Sequence, residues 1–398
     1  MSEPIVIVGG GLAGQRFAET LRRCGHEQPI VMVCGEPHRP YDRPPLSKGV
    51  LHARQAEETL SFRSADWYDA KGVELLLGVE ARDLDHRARL LELSDGTSVP
   101  YGQLLIATGA RPRGLPMFDG FENVTGLRTV EDARRLRTAL VPGARLLVLG
   151  AGFIGQEVAS AARTAGVHTT VVEAAAAPLG GLLGPELGAW FADLHRSHGV
   201  ELLLGEQVSG VRREDPPGEI GDRRRVGSVT LASGRTVTCD HVVLGVGVEP
   251  SLDWLGASEL DRTGVITDVD GRTGIQGVYA AGDAAACFDP LLEEHALGSH
   301  WESAGRQGSR VAKAMLGQDP GAPAVSSFWS DLYGTRVQYL GHASLADELT
   351  FDGDPGSRSF TATFTREGRP VAVLLAGRPQ MLPQARALLA GTAERVFA

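Results

Sequence analysis

The chain has 398 residues, 42% hydrophobic and 22% charged, the composition of a soluble globular protein with room for two or three domains. Its 39 basic and 49 acidic side chains leave a net charge of −10, which argues against nucleic acid or an anionic membrane as a partner. The N-terminus has no signal-peptide pattern and no apolar run reaches membrane-spanning length, while Cys24, Cys34, Cys239 and Cys287 lack redox-pair or zinc spacing and read as buried thiols in a reducing cytosol.

The first element is "PIVIVGGGLAGQRFAETLRRCGHEQPIVMVCGE", residues 4–36. It reads as a buried strand, a Gly-rich turn, an amphipathic helix, a second strand and an acid, which is a βαβ unit of a parallel sheet. Next, "ARLLELSDGTSVPYGQLLIATGARPR" predicts a hairpin and then a strand ending in a Gly turn. "EDARRLRTAL" predicts a charged, exposed helix face. Residues 145–173, "RLLVLGAGFIGQEVASAARTAGVHTTVVE", repeat the βαβ pattern. "DRRRVG", with Arg223 to Arg225, predicts a solvated hairpin turn. "SVTLASGRTVTCDHVVLGVGVEPS" then repeats the hairpin and strand. "GVYAAGDAAA" predicts a strand that stops at Gly282 and Asp283, ahead of a helix near 299–316. "QDPGAPAVS" reads as a linker. Beyond it, "RVQYLG", "SFTATFT" and "PVAVLLAG" predict strands, with "REG" as a hairpin turn and "MLPQARALLAG" as a closing helix.

Gly9, Gly11 and Gly14 form G-x-G-x-x-G. The first makes the tight turn, the second admits a pyrophosphate, and the third lets helix and strand pack closely. The phosphates then meet the amides and dipole of a helix N-terminus. Glu36 ends the second strand and is placed to accept from a ribose. Gly150, Gly152 and Gly155 repeat the motif, with Glu173 as the acid. A carboxylate there binds a 2′-hydroxyl and repels a 2′-phosphate, so NADH is favoured over NADPH. Two dinucleotide sites suggest one retained cofactor and one exchangeable one, and a flavin with a nicotinamide is the chemically sensible pair.

The motifs "IVIVGGGLAG", "PYDRPPLSK", "LLIATGARPR", "GAGFIGQEVA", "GVYAAGDAA", "HWESAGRQG" and "FWSDLYG" run nearly the whole chain. In them the chain resembles the FAD-dependent NADH:ferredoxin reductases of bacterial oxygenase systems. The resemblance implies an α/β fold with two Rossmann-like domains, a glutathione-reductase-like core, and a small α+β C-terminal domain. It implies an FAD-binding domain over 1–112 and 245–320, an NADH-binding domain over 113–244 and a C-terminal domain over 325–398.

It also assigns roles. Besides the first glycines and Glu36, FAD falls to Arg43, Pro45, Lys48, Ala107, Thr108, Gly109, Arg111, Gly282, Asp283, His300, Trp301 and Trp329. NADH falls to the second glycines and to Phe153, Ile154, Glu157, Glu173 and Gly247. Lys48 and Glu157 are the expected catalytic pair: Lys48 near the flavin N5 edge, and Glu157 facing the nicotinamide from the first turn of its helix. Plainer readings stand beside these. Asp283 could be a helix N-cap, Lys48 a surface ion pair, Glu157 a complement to the helix dipole, and Trp329 a core residue. Ser299 stands where the family motif has Glu, which weakens any hydrogen bond expected there. His195, His198 and His295 lack metal-ligand spacing, and no metal is expected.

The stretch "EPHRPYDRPPLSK", where many flavoenzymes of similar outline keep a redox disulfide, contains no cysteine. Electrons must therefore leave for an external centre. Hydride from NADH comes as an electron pair and an iron–sulfur cluster takes electrons singly, so a cytoplasmic, FAD-dependent NADH–ferredoxin oxidoreductase is expected, monomer or homodimer. It would serve a monooxygenase or a Rieske-type oxygenase. An NADH oxidase or diaphorase acting on oxygen, quinone or a small acceptor uses the same core, as does a redox-sensing protein resembling apoptosis-inducing factor. For an acidic ferredoxin, Arg306, Arg310 and Lys313 lie at i, i+4 and i+7 and predict a basic docking face.

Overall fold

The computed structural model describes residues 3–214, 224–256, 259–298, 300–323 and 325–391. Arg223 and Ser299, singled out above, lie outside them. The chain divides into two compact units. One comprises residues 1–42, 58–111 and 249–326, and the other comprises 43–57, 112–248 and 327–398. The segment 43–57, expected with the first dinucleotide fold, clusters with the second.

The first unit is built on a five-stranded parallel sheet in the order Val278–Ala280, Gln103–Ile106, Ile5–Val8, Ile30–Cys34, Val73–Leu77. Its central strand, Ile5–Val8, is apolar at every position because both of its faces are covered. On one side Phe17, Leu21 and Val311 pack against Ile5 and Ile7. On the other, Leu84, Leu91, Tyr101 and Leu252 cover Val6 and Val8. Gly9 follows the strand with φ +119°, and a Cβ there would lie 2.1 Å from the carbonyl oxygen of Ala107. The close approach of these two backbones is what the glycine permits.

The second unit repeats the plan in the order Glu201–Leu204, His168–Glu173, Arg145–Leu149, His241–Leu244, Val124–Thr125, again all parallel. The charged helix is Val130–Ala139, started by a capping box between Thr129 and Asp132. In the same unit the C-terminal residues form a five-stranded antiparallel sheet, with the helix Leu382–Leu389 after it. Its Phe328, Tyr339, Phe360 and Leu374 share a core with Leu187, Phe191 and Leu194 of the helix Pro185–Ser197.

The predicted elements differ from this in three places. The hairpin before Gln103 is a three-stranded meander that begins at Ala81–Asp85. A hairpin, Ala285–Asp289 with Glu294–Leu297, stands between Asp283 and the helix Trp301–Met315. The C-terminal sheet has two further strands, Ser327–Leu332 and Glu348–Asp354. The strand Glu348–Asp354 is largely exposed and polar, so it lacks the apolar alternation that marks a strand in sequence. The "REG" turn is as expected: Glu367 and Gly368 have φ of 49° and 74°, both positive as a two-residue hairpin loop requires.

The basic docking face dissolves. Arg310 donates to the carbonyls of Val269 and Gly321 at 2.9 and 2.7 Å and pairs with Asp270 at 2.8 Å. Its side chain is only 16% exposed, and Arg306 is paired with Glu302. The spacing was right for a helix face, but that face is turned onto the protein at Arg310.

Helices Leu12–Arg23 and Trp301–Met315 cross closely at Gly308, where a Cβ would lie 2.1 Å from the carbonyl oxygen of Ala13. Gly308→Ala should force the helices apart and cost about 1–3 kcal/mol. Thermal unfolding should show a lowered midpoint, with flavin lost from the purified protein. An unchanged midpoint would show that this crossing is not tight.

Candidate functional site

In the first unit the expected dinucleotide residues gather at the C-terminal ends of the parallel strands, where ligands of such sheets bind. Gly11 is the N-cap of helix Leu12–Arg23 and offers no side-chain cap, so the first-turn amides face outward. A Cβ built on Gly11 meets nothing within 4 Å, which leaves an open approach to those amides. Thr108 follows the strand Gln103–Ile106, and its buried Oγ1 has no hydrogen-bond partner among the described residues. A cradle of bare amides with an orphaned hydroxyl beside it fits the pyrophosphate of FAD.

Glu36 accepts from the Tyr41 hydroxyl at 2.5 Å. Trp301 donates from Nε1 to Asp42 at 2.6 Å, and His300 is the N-cap of its helix without a side-chain cap bond. Arg111 is paired with Glu249 and Asp253, both at 2.9 Å. Asp283 sits inside the short 3-10 turn Gly282–Ala284, whose N-cap is Ala281, so the helix-cap reading of Asp283 fails.

In the second unit a carboxylate is enclosed. Glu157 is 4% exposed and accepts from Lys48 Nζ at 2.6 Å, from Ser330 Oγ at 2.7 Å and, by a short contact, from Ser47 Oγ. Lys48 is 19% exposed at its side chain, so the pair is not a surface ion pair. Glu157 is the fifth residue of helix Phe153–Thr164, beyond the first turn where it was expected. Its charge is met by donors and not by the helix end.

Three separate segments converge here. The 3-10 turn Pro44–Ser47, started at Arg43 and stiffened by Pro44 and Pro45, presents Ser47 and Lys48. Arg43 anchors the turn by donating to the Arg128 carbonyl at 2.6 Å. The Gly-motif helix presents Glu157, and the strand Ser327–Leu332 presents Ser330. Trp329, beside Ser330, is half-buried. Ser47 and Ser330 were missed from the sequence. The only signal was their place beside expected residues, in "PLSK" and "FWSD".

The second Gly motif is built like the first. Gly150 has φ +97°, Gly152 is the uncapped N-cap of its helix, and a Cβ on Gly155 would meet the Gly150 carbonyl at 2.1 Å. Glu173 accepts from the Ala151 amide at 2.6 Å and the Ala175 amide at 2.8 Å, so the acid is locked onto the loop that would receive a ribose. Gly247 accepts from the Arg113 amide at 3.0 Å, and Phe153 packs on Phe328 at 4.2 Å. Ile154 is 39% exposed.

All four cysteines are free thiols. Burial pushes Cys34 and Cys239 up to about 12, so neither is a ready thiolate.

A family model described as pyridine nucleotide-disulphide oxidoreductase matches residues 3–308, and one described as reductase C-terminal matches 327–396. The chain is 37% identical to the anthranilate 1,2-dioxygenase system ferredoxin–NAD(+) reductase component of Burkholderia cepacia, covering 98% of this chain and 95% of that one. It is 35% identical to the benzene 1,2-dioxygenase system ferredoxin–NAD(+) reductase subunit of Pseudomonas putida, covering 96% and 90%. Among solved structures, the covalent putidaredoxin reductase–putidaredoxin complex superposes with a TM-score of 0.93 at 31% identity, covering 98% and 93%.

Removing Lys48 would leave the buried Glu157 carboxyl without its cationic partner. Lys48→Met should destabilise the protein by about 3 kcal/mol, the low end for breaking a buried pair, because two hydroxyls remain. Lys48→Met with Glu157→Gln should recover most of that loss. Urea unfolding of both variants checks this, and a single variant no less stable than the double would refute it.

Proposed function

The chain belongs to the FAD-dependent NADH:ferredoxin reductases of bacterial oxygenase systems, and we propose that it reduces a small acidic iron–sulfur ferredoxin with NADH in the cytoplasm. The observation that carries the reading is the buried Glu157, held by a lysine and two serines on the helix that follows the second Gly motif. Bound FAD supplies the conversion of a two-electron donor's hydride into single electrons.

The protein's own residues bind and orient. The uncapped amides after Gly152 receive the NADH pyrophosphate. Glu173, fixed by two loop amides, meets the adenosine ribose and disfavours a 2′-phosphate. Glu157 orients the nicotinamide ring, and Lys48 fixes Glu157 in place. No step uses a thiol, because the two fully buried cysteines are held protonated and none of the four is paired. No helix among the described residues is long and apolar enough to cross a membrane.

NADH should exceed NADPH in catalytic efficiency, and Glu173→Ala should narrow the ratio about tenfold by removing charge repulsion. Equal efficiency with both nucleotides in the unaltered enzyme would overturn the role of Glu173.

The function itself is tested anaerobically. NADH should reduce ferricyanide and, at a rate only weakly dependent on ionic strength, a small acidic ferredoxin. Changing all four cysteines to Ser should leave both activities in the folded, FAD-loaded protein. Reduction of quinone or oxygen without ferredoxin reduction would sink the reading.

A further inference from the structure

One buried polar chain in the second unit is not used by the residues above. Tyr333 and Gly334 form the two-residue loop between strands Ser327–Leu332 and Thr335–Gly341. Both have positive φ, 51° and 81°. For a tyrosine this backbone costs free energy and needs local compensation. The compensation is on the dinucleotide fold. The Tyr333 amide donates to Ser160 Oγ at 2.9 Å, its ring stacks on His198 at 3.9 Å, and its hydroxyl lies 2.7 Å from His195 Nδ1.

His195 is 1% exposed, and burial pushes its pKa down to about 4, so the ring is neutral at pH 7. Its Nε2 lies 3.1 Å from Gln156 Oε1, which can only accept. The ring proton is therefore on Nε2, and Nδ1 accepts from Tyr333. Gln156, also 1% exposed, passes the chain on by donating to the Ala151 carbonyl at 3.0 Å. Ala151 lies inside the second Gly motif, and its amide is the one held by Glu173. Every donor points the same way: Tyr333 to His195, His195 to Gln156, Gln156 to Ala151. Three residues before Tyr333, on the strand that leads to it, Ser330 donates to Glu157.

We propose that the segment Ser330–Tyr333 of the C-terminal sheet is a positioning element for NADH, with Ser330 setting the Glu157 carboxylate and Tyr333, through His195 and Gln156, setting the Gly150–Gly152 loop. The two ends act on different parts of one ligand. Glu157 belongs to the reacting ring, and the loop belongs to the pyrophosphate and ribose. The inference rests on the reading of this fold as the NADH site. It adds that the C-terminal sheet supplies two residues on which that site depends.

The two ends should separate in experiment. In the FAD-loaded enzyme, Tyr333→Phe keeps the stacked ring and removes only the hydroxyl, leaving His195 Nδ1 unpaired. The dissociation constant for NAD+, measured by calorimetry, should rise about five- to tenfold, while flavin bleaching at saturating NADH stays within about twofold. Ser330→Ala should do the reverse: NAD+ affinity within about twofold, and bleaching slowed about tenfold. Ser330→Thr, which retains the hydroxyl, should restore the rate. If both variants lose affinity and rate together, with unfolding midpoints lowered alike, the segment is only a structural strut and the proposal fails. If both bind and bleach as the unaltered enzyme does, it fails as well. If the unaltered enzyme binds no NAD+, it is the reading of the site as an NADH site that falls.

Discussion

The enclosed charge of Glu157 is the constraint on which the second unit is organised. A carboxylate at 4% exposure is tolerated only with a cation and enough donors to satisfy its oxygens. No single segment supplies them. Lys48 and Ser47 come from a turn about 110 positions earlier, and Ser330 from a strand 173 positions later. The pair explains why residues 43–57 cluster with the second dinucleotide fold although the chain on either side of them belongs to the first. The stiff Pro44–Pro45 turn holds Lys48 in register, since a flexible loop would lose entropy each time it formed the pair.

The same constraint bears on chemistry. A carboxylate ringed by donors is held as an acceptor, and its position changes little when a ligand enters. Such preorganisation is what an enzyme needs at a reacting ring, because geometry fixed in folding costs nothing during turnover. The absence of a dithiol is consistent with this division of labour. Cys34 ends the strand that leads to Glu36, close to the dinucleotide motif, yet burial and the neighbouring carboxylate keep it protonated. On the proposed reading the residues orient donor and cofactor, and the outgoing electrons pass to a ferredoxin.

What the sequence made legible follows from how local each constraint is. Both Gly motifs could be read directly, because a tight turn, an uncapped helix start and a close backbone approach are set within about six residues. Parallel sheets followed from the helix that crosses over between consecutive strands. The pairing of Lys48 with Glu157 came from resemblance, since no spacing rule links positions so far apart. Ser47, Ser330, Gln156, His195 and Tyr333 were out of reach for the same reason. His195 shows this well: weighed as a metal ligand and set aside, it is a neutral ring whose two nitrogens are committed to residues at 156 and 333. The docking face failed differently. Helical periodicity says which residues share a face but not what that face meets, and Arg310 meets Asp270 and two carbonyls.

The loss of that face changes how a partner is to be recruited. With a net charge of −10, the chain repels an acidic protein at long range. Many of its cations are spent at home: Arg145 on Asp240, Arg336 on Asp331, Arg272 on Asp268 and Asp270, and Arg378 on Asp352. A guanidinium already neutralised contributes little to a field felt beyond about 8–10 Å at physiological salt. These paired cations therefore add little to steering by a broad basic surface. Were the partner acidic, its encounter with this chain would rest more on short-range complementarity, in which a few cations and apolar contacts act only after the surfaces meet. Association of that kind is slower than electrostatically steered docking and less sensitive to salt. That suits a carrier which must leave after each electron it receives.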